Sequence, residues 1–259
     1  MPASPLGPKA LRATVRAVRR GEEEGRVVVE GARLVAEAIA HKARLDLLVV
    51  SPRLRTRPLS SEAIARIASH PAAQAVTDQE MERLSAGPSH QGVLAVLALP
   101  RWTPEDCLAG DGWVVVLDGV QDAANLGGIA RAALAFGASG IWYRRGGVRP
   151  ENPRAYRASA GAFLHLPIAA LDELETALAQ LGWPVWVASA HGEPLGAAWP
   201  PPGRALLVLG SEGQGTALRL GRTVAIPMRE GSESLNVAQA AAVLLWRAGS
   251  ALQAGAEPV

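Results

Sequence analysis

From Trp113 onward the chain alternates short apolar runs with helix-patterned segments, and this alternation restricts the fold more than any other feature of the sequence. The run WVVVLDG (113–119) is too uniformly apolar for a strand with one face in water, so it belongs inside a parallel sheet covered on both sides. NLGGIARAALAFG (125–137) has helical periodicity, IWY (141–143) reads as a strand, and LDELETALAQLG (171–182) is helical again. VWVAS (185–189), ALLVLG (205–210) and VAIPM (224–228) repeat the strand pattern before a final helix over 236–248. Such alternation specifies an α/β fold, a mostly parallel sheet with helices on both faces.

The front of the chain alternates on a smaller scale. VVVEG (27–31), helical ARLVAEAIAHK (32–42), LDLLVV (45–50), helical SEAIARIASH (61–70), TDQEMERL (77–84) and GVLAVLAL (92–99) form a small α/β domain. Thr77, three residues before Glu80, has capping-box spacing and marks a helix start. PRWTPEDCLAGDG (100–112) has prolines, glycines and acids without a sustained apolar period and reads as a connector. The expected organisation is therefore 1–100, a linker over 101–112, and 113–259, with WPPPG (199–203) as a turn or stiff loop.

Composition removes several function classes. No stretch approaches the roughly 18 uncharged apolar residues of a membrane span, and no apolar run follows the basic N-terminus as a secretory signal requires. The acid-free start imitates a transit peptide, but Glu22, Glu23 and Glu24 follow at once. Cys107 is the only cysteine, which excludes intrachain disulfides, Cys-rich zinc sites and paired redox thiols, and fits a reducing cytoplasm; no metal is expected. The basic residues are 24 arginines and two lysines, Lys9 and Lys42. Residues 1–100 carry 14 basic against 10 acidic groups, whereas 101–259 carry 12 against 14. Arginine neutralises phosphates and stacks on bases, so the front half is the one expected to face a nucleic acid such as RNA; the alternative is that arginine in place of lysine reflects genome composition and solvated faces. Arg12, Arg16, Arg19 and Arg20 fall at helical spacing within 9–20 and would form a basic arm. A second arginine-rich stretch, Arg144, Arg145, Arg149, Arg154 and Arg157 against Glu151 alone, reads either as an RNA contact or as a solvated loop.

Three segments carry candidate chemistry. In LDGVQDAANLGGIARAALAFG, from Leu117, a strand ends in Asp118–Gly119 and a helix starts near Asn125, which can cap it; Gly127 and Gly128 permit close approach, and Arg131 follows six residues after Asn125. LVLGSEGQGT (207–216) ends a buried strand in glycines around Glu212 and has neither P-loop nor dinucleotide-fingerprint spacing. IPMREGSESLNVAQAAAVLLWRAG (226–249) sets Ser232, Glu233, Ser234 and Asn236 before a long helix that either Ser234 or Asn236 can cap. The chain has only three asparagines, and two of them, Asn125 and Asn236, open the two motif helices, which favours a shared site over capping alone. His90, beside Gln91 and Gly92, reads as a turn histidine, and the tryptophans, among them Trp113, Trp142, Trp183, Trp186 and Trp246, as core or interface anchors.

N-L-G-x-x-x-R after LDG, then LGSEGxG, then IPM with SLNVAQAAA, resemble the three ordered motifs of the SpoU (TrmH) methyltransferases; RASAGAF (157–163), HQGVLAV (90–96) and the opening KALR…VVVEGARLVAEAI extend the resemblance over most of the chain. The resemblance implies S-adenosylmethionine-dependent methylation of a ribose 2′-hydroxyl in structured RNA, large-subunit ribosomal RNA by preference, with transfer RNA as the alternative substrate and a non-catalytic RNA-binding scaffold as the rival outside enzymes. It also implies a homodimer, to which Trp246 would contribute, a C-terminal trefoil knot, and an N-terminal domain like a ribosomal protein that recruits RNA. Cofactor-holding positions are then Leu209, Gly210, Ile226, Met228, Ser234 and Leu235. Arg131 matches the arginine held to activate the hydroxyl, with Asn125, Glu212 and Asn236 orienting ribose and arginine and Glu212 pairing with Arg131. A guanidinium with a pKa above about 12 makes a poor general base, so Arg131 is expected to bind phosphate and stabilise developing charge.

Overall fold

The computed structural model describes residues 5–56, 60–87, 90–196, 199, 203–213, 215–232 and 234–253. Glu233 and the prolines 200–202, read above as part of a motif and of a stiff loop, lie outside the described residues. The chain packs as two units: one takes the residues up to Arg101 together with Pro150–Leu164, the other takes Trp102–Arg149 and the residues from His165 onward.

In the first unit, β1 (Arg26–Glu30), β2 (Arg44–Val50), β3 (Ala73–Ala75) and β4 (Val93–Ala98) form a sheet ordered β1-β4-β2-β3, with β4 antiparallel to both neighbours. Helix α1 (Pro8–Arg19) begins with proline, whose fixed φ suits a first helical turn, and buries Leu11, Val15 and Val18 against Val28, Val49 and Met81. Helix α2 (Ala32–Ala40) follows β1, and α3 (Ser61–Ala68) is capped by Ser60. Thr77 caps α4 (Asp78–Leu84), its hydroxyl accepting from the Glu80 N–H at 3.2 Å. Glu80 does not complete the box, because its carboxylate accepts instead from Arg12 Nη1 at 2.9 Å. His90 is fully buried, with Nδ1 accepting from the Gly92 N–H at 3.0 Å, a turn role.

The RASAGAF segment departs from the expected boundaries. It lies in α6 (Pro153–Ser159) and the short 3-10 turn after it, whose Ala155, Tyr156 and Phe163 are buried in the first unit. An apolar cluster goes where it can be buried, whatever its place in the chain. The 101–112 stretch is likewise no free connector. A 3-10 turn, Asp106–Leu108, sinks Cys107 into the core of the second unit, and Trp142 Nε1 donates to the Pro104 carbonyl at 3.1 Å. Burial pushes the Cys107 thiol up to about 12, so it stays protonated and unreactive.

The second unit is built on β5 (Val114–Asp118), β6 (Gly140–Arg144), β7 (Ile168–Leu171), β8 (Val185–Pro194), β9 (Leu206–Gly210) and β10 (Arg222–Ala225), ordered β10-β8-β9-β5-β6-β7 with every pairing parallel. All of β5 is buried, as its uniform apolarity requires. Val114, Val116, Val208 and Trp142 pack against Leu174 and Leu178 of α7 (Leu174–Leu181). Trp199 stands edge-on to Trp113 and Trp186, at centroid distances of 4.9 and 4.7 Å. Helix α5 (Ala123–Ala135) follows β5, and α8 (Val237–Gln253) packs against it. Gly128 permits that approach: a Cβ there would lie 3.2 Å from the Ala238 Cβ, so the glycine serves helix packing rather than a ligand. Gly249 meets the Phe136 carbonyl further along, so α5 and α8 run side by side in the same direction. Among the described residues no helix is long and apolar enough to cross a membrane, and no cluster of three His, Cys, Asp or Glu side chains could hold a metal.

Candidate active site

The three motif segments converge at the carboxyl ends of β5, β9 and β10. Asp118 and Gly210, the last residues of β5 and β9, are register partners. Helix α5 starts two residues earlier than the sequence suggested, because Asp122 and not Asn125 caps it, accepting from the Asn125 N–H at 2.9 Å. That frees the Asn125 side chain. Its Nδ2 donates to Glu212 Oε1 at 2.6 Å, and its Oδ1 accepts from Asn236 Nδ2 at 3.0 Å. Asn236 Nδ2 also donates to Glu212 Oε1, at 2.7 Å. Of the two capping candidates before α8, Asn236 takes the role, its Oδ1 accepting from the Ala238 N–H at 2.9 Å. Capping and site-building therefore fall to opposite ends of one amide.

Glu212 sits on a tight turn in which Ser211 and Gly215 exchange backbone hydrogen bonds of 2.9 and 3.0 Å. The turn needs glycine at its base, since a Cβ on Gly210 would lie 2.2 Å from the Gly215 carbonyl carbon. Asp118 anchors the other end. Its buried carboxylate accepts from the Thr216 hydroxyl and from Arg144 Nε, the latter at 2.6 Å. Burial opposes its charge, yet these two donors hold its carboxyl below the usual carboxylate range. This network was not read from the sequence; the LDG and GQGT residues were in view, but nothing in their spacing says that they meet.

Beside the triangle lies a cavity of about 520 Å³, a size suited to a nucleoside-like ligand. All six positions expected to hold a cofactor line it: Leu209, Gly210, Ile226, Met228, Ser234 and Leu235. Met228 and Leu235 leave 41% and 38% of their surface in solvent, so the wall offers apolar area that a flat ring could cover. Gly210 and Gly213 bring main chain to the wall with no side chain in the way, and this lining fits an adenine-bearing cofactor. Ser189 and His191 also line it; neither was expected there, and His191 lies on the part of β8 that runs past the expected strand end at 189 to Pro194.

Arg131 is the exception. It stands exposed on α5, outside that cavity, and makes no ion pair among the described residues. The expected Glu212–Arg131 pair is not formed: Glu212 meets the two asparagines through Oε1 instead. The expected RNA contacts are mixed. Arg12 and Arg19 are held by Glu80 and Glu30, whereas Arg16 is exposed. Arg144 is engaged by Asp118 and Glu175, and Arg145 by Asp172. Arg149, Arg154 and Arg157 are exposed, but Arg154 and Arg157 belong to the first unit and Arg149 to the second.

A parallel sheet with a ligand-sized cavity at its strand ends, beside a polar cluster drawn from three chain segments, defines an α/β ligand-binding enzyme. The model of the SpoU rRNA Methylase family matches residues 112–246, and that of the MRM3-like substrate binding domain matches residues 10–95. The 23S rRNA (guanosine-2′-O-)-methyltransferase RlmB of Xylella fastidiosa is 35% identical over 188 residues, covering 67% of this chain and 75% of that protein. A solved TrmH-family protein from Porphyromonas gingivalis superposes with a TM-score of 0.72 at 30% identity, over 94% of this chain and 99% of that one. The SpoU methyltransferase AviRb of Streptomyces viridochromogenes, solved with AdoMet, shares the fold at a TM-score of 0.79 and 22% identity, over 95% and 98% of the chains. The chain belongs to the SpoU rRNA methylase family. It is an RNA methyltransferase.

Proposed function

We propose that this enzyme methylates a ribose 2′-hydroxyl of large-subunit ribosomal RNA, as a homodimer. One observation carries the reading: Asn125, Glu212 and Asn236, up to 111 residues apart in sequence, meet on one carboxylate at the rim of the cavity that holds all six expected cofactor positions. Glu212 belongs to both the triangle and the cavity wall. When bound in this cavity, S-adenosylmethionine supplies an electrophilic methyl group. Leu209, Ile226, Met228 and Leu235 would hold the flat part of the cofactor, and Gly210 and Ser234 would offer polar groups to it. The asparagines fix Glu212 through Oε1 alone, which leaves Oε2 to accept a hydrogen bond from a ribose hydroxyl. Fixing that oxygen in line is itself a large part of the acceleration. Arg131 contacts the neighbouring phosphate and stabilises the alkoxide as it forms, while the hydroxyl proton leaves to phosphate or water.

The unit containing α1 recruits the RNA, in keeping with its match to a substrate-binding domain. The route from β9 through β10 to α8, which carries the chain past β8 and back to α5, is where the family's trefoil knot would form. Leu134, Val243 and Trp246 are exposed on the paired helices α5 and α8 and supply an apolar face for a second copy. Arg131, one turn before Leu134, would then lie at the seam.

The test is incubation with methyl-labelled cofactor and total RNA, both bare and ribosome-assembled, followed by mapping of sites resistant to alkaline cleavage. Label at a single 2′-oxygen of large-subunit RNA is expected. Label confined to transfer RNA would replace the substrate assignment, and no label on any RNA would end it. Arg131→Ala should lower turnover by roughly 100-fold or more with cofactor affinity unchanged, and near-normal turnover would remove Arg131 from the mechanism.

A further inference from the structure

The first unit contains a second cavity, of about 440 Å³, that the reading above leaves unused. Its charged lining is Glu24, Arg26, His41, Lys42, Arg44 and Arg101: four permanent cations and a histidine against one carboxylate. Arg26 of β1 and Arg44 of β2 flank the same β4 residue, Ala98, from either side. Asp46 fixes both, accepting from Arg26 Nε at 2.7 Å and from Arg44 Nε at 3.1 Å. Arg44 engages it through Nε alone and keeps 77% of its side chain in solvent. A carboxylate behind two guanidiniums orients them towards the open side at little cost in mobility. Lys42 and Arg101 are exposed and make no ion pair among the described residues. Arg26 is answered twice, by Asp46 and by Glu23 at 3.4 Å, so the positive charge open to a ligand is that of Lys42, Arg101 and the outward face of Arg44.

Lys42 adds a second signal. It closes α2 with φ of +56°, the left-handed conformation in which glycine is the ordinary choice, and the chain spends one of its only two lysines there. Stability alone would place glycine at this position, so a charged side chain held in strained backbone points to a task for the charge.

We propose that this cavity is a phosphate-backbone contact for the RNA substrate, made by Lys42, Arg44 and Arg101 with Arg26 behind them. The inference rests on the reading that the substrate is RNA, but it moves the contact from the α1 arm to the opposite ends of α2 and β4. Lys42 and Arg101, which no carboxylate answers among the described residues, would displace condensed counterions from a polyanion that binds there, with Arg44 adding its outward Nη groups.

The experiment uses the full chain and protein-free large-subunit ribosomal RNA, with binding measured between about 50 and 300 mM salt. The double variant Lys42→Gly, Arg101→Ala should lose about two units of the slope of log affinity against log salt, with affinity falling roughly tenfold or more at the low-salt end. Lys42→Gly alone should raise Tm while weakening RNA binding, a combination that a purely structural lysine would not give. Arg66→Ala, which removes an exposed cation on α3, should leave the slope unchanged. An unaltered slope and affinity in the double variant would overturn the proposal. If the wild-type chain bound this RNA at no salt concentration, the substrate assignment itself would fall and this site with it, a result distinct from a change confined to the variants.

Discussion

Asp118 shows how a residue remote from the reacting atoms governs the site. It closes β5, is 6% exposed, and joins the 211–216 turn to β6 through Thr216 and Arg144. A buried carboxylate survives only when its charge is answered, and here a hydroxyl and a guanidinium answer it. Because its folded pKa lies below the unfolded value, ionised Asp118 stabilises the fold above the ordinary carboxylate range, and that stability drains away as pH falls through the range towards the folded value. Asp118→Asn keeps an acceptor for Thr216 but surrenders the charge pair. The variant should be less stable by about 2 kcal/mol near neutral pH, and its deficit against the wild type should shrink below about pH 4. Chemical denaturation at several pH values reads both. A deficit that stays constant down to acid would mean that the side chain's shape, not its charge, is what the turn needs.

At the scale of elements, the helix starts carry most of the chemistry, and they were legible only in part. The periodicity of 113–248 marked the parallel sheet, whereas the residues of the cavity wall were named only by the resemblance to the methyltransferase motifs. Spacing cannot say which of two polar residues a turn apart caps a helix. Asp122 took the end of α5 that Asn125 was expected to cap, and so released Asn125 to the triangle. Nor can spacing say which long-range partner wins a carboxylate, and Glu212 went to two amides rather than to Arg131. The packing of 150–164 with the first unit was hidden for the same reason, since burial of Tyr156 and Phe163 depends on a sheet many residues away. The two duties of Asn236 can now be separated. Asn236→Ser keeps an oxygen for the Ala238 N–H and removes the amide donor to Glu212, so stability should fall by no more than about 1 kcal/mol, with a correspondingly small change in Tm, while methyl transfer falls steeply. Loss of Tm in proportion to activity would return Asn236 to a capping role alone.

For the molecule as a whole, the exposed face of α5 and α8 is the feature a lone chain does not explain. Gly128 and Gly249 draw the two helices together in parallel, and Trp246 on the outside of that pair leaves 56% of its surface in water, with Leu134 and Val243 also uncovered. Tryptophan contributes most to an interface when its ring is removed from solvent, and a charge put in its place leaves an unpaired ion against apolar surface. Since Trp246 is more than half exposed in the single chain, Trp246→Glu should leave Tm of the monomer nearly unchanged. It should weaken self-association by about 30-fold or more. Sedimentation over a range of concentrations would then show dimer for the wild type and monomer for the variant. If Arg131 and the seam around it belong to the working site, methyl transfer should fall with the dimer and recover as variant concentration rises, while cofactor affinity stays level. A monomeric variant with full turnover would show instead that each chain completes its site alone, and Arg131 would have to reach the RNA from the surface of its own α5.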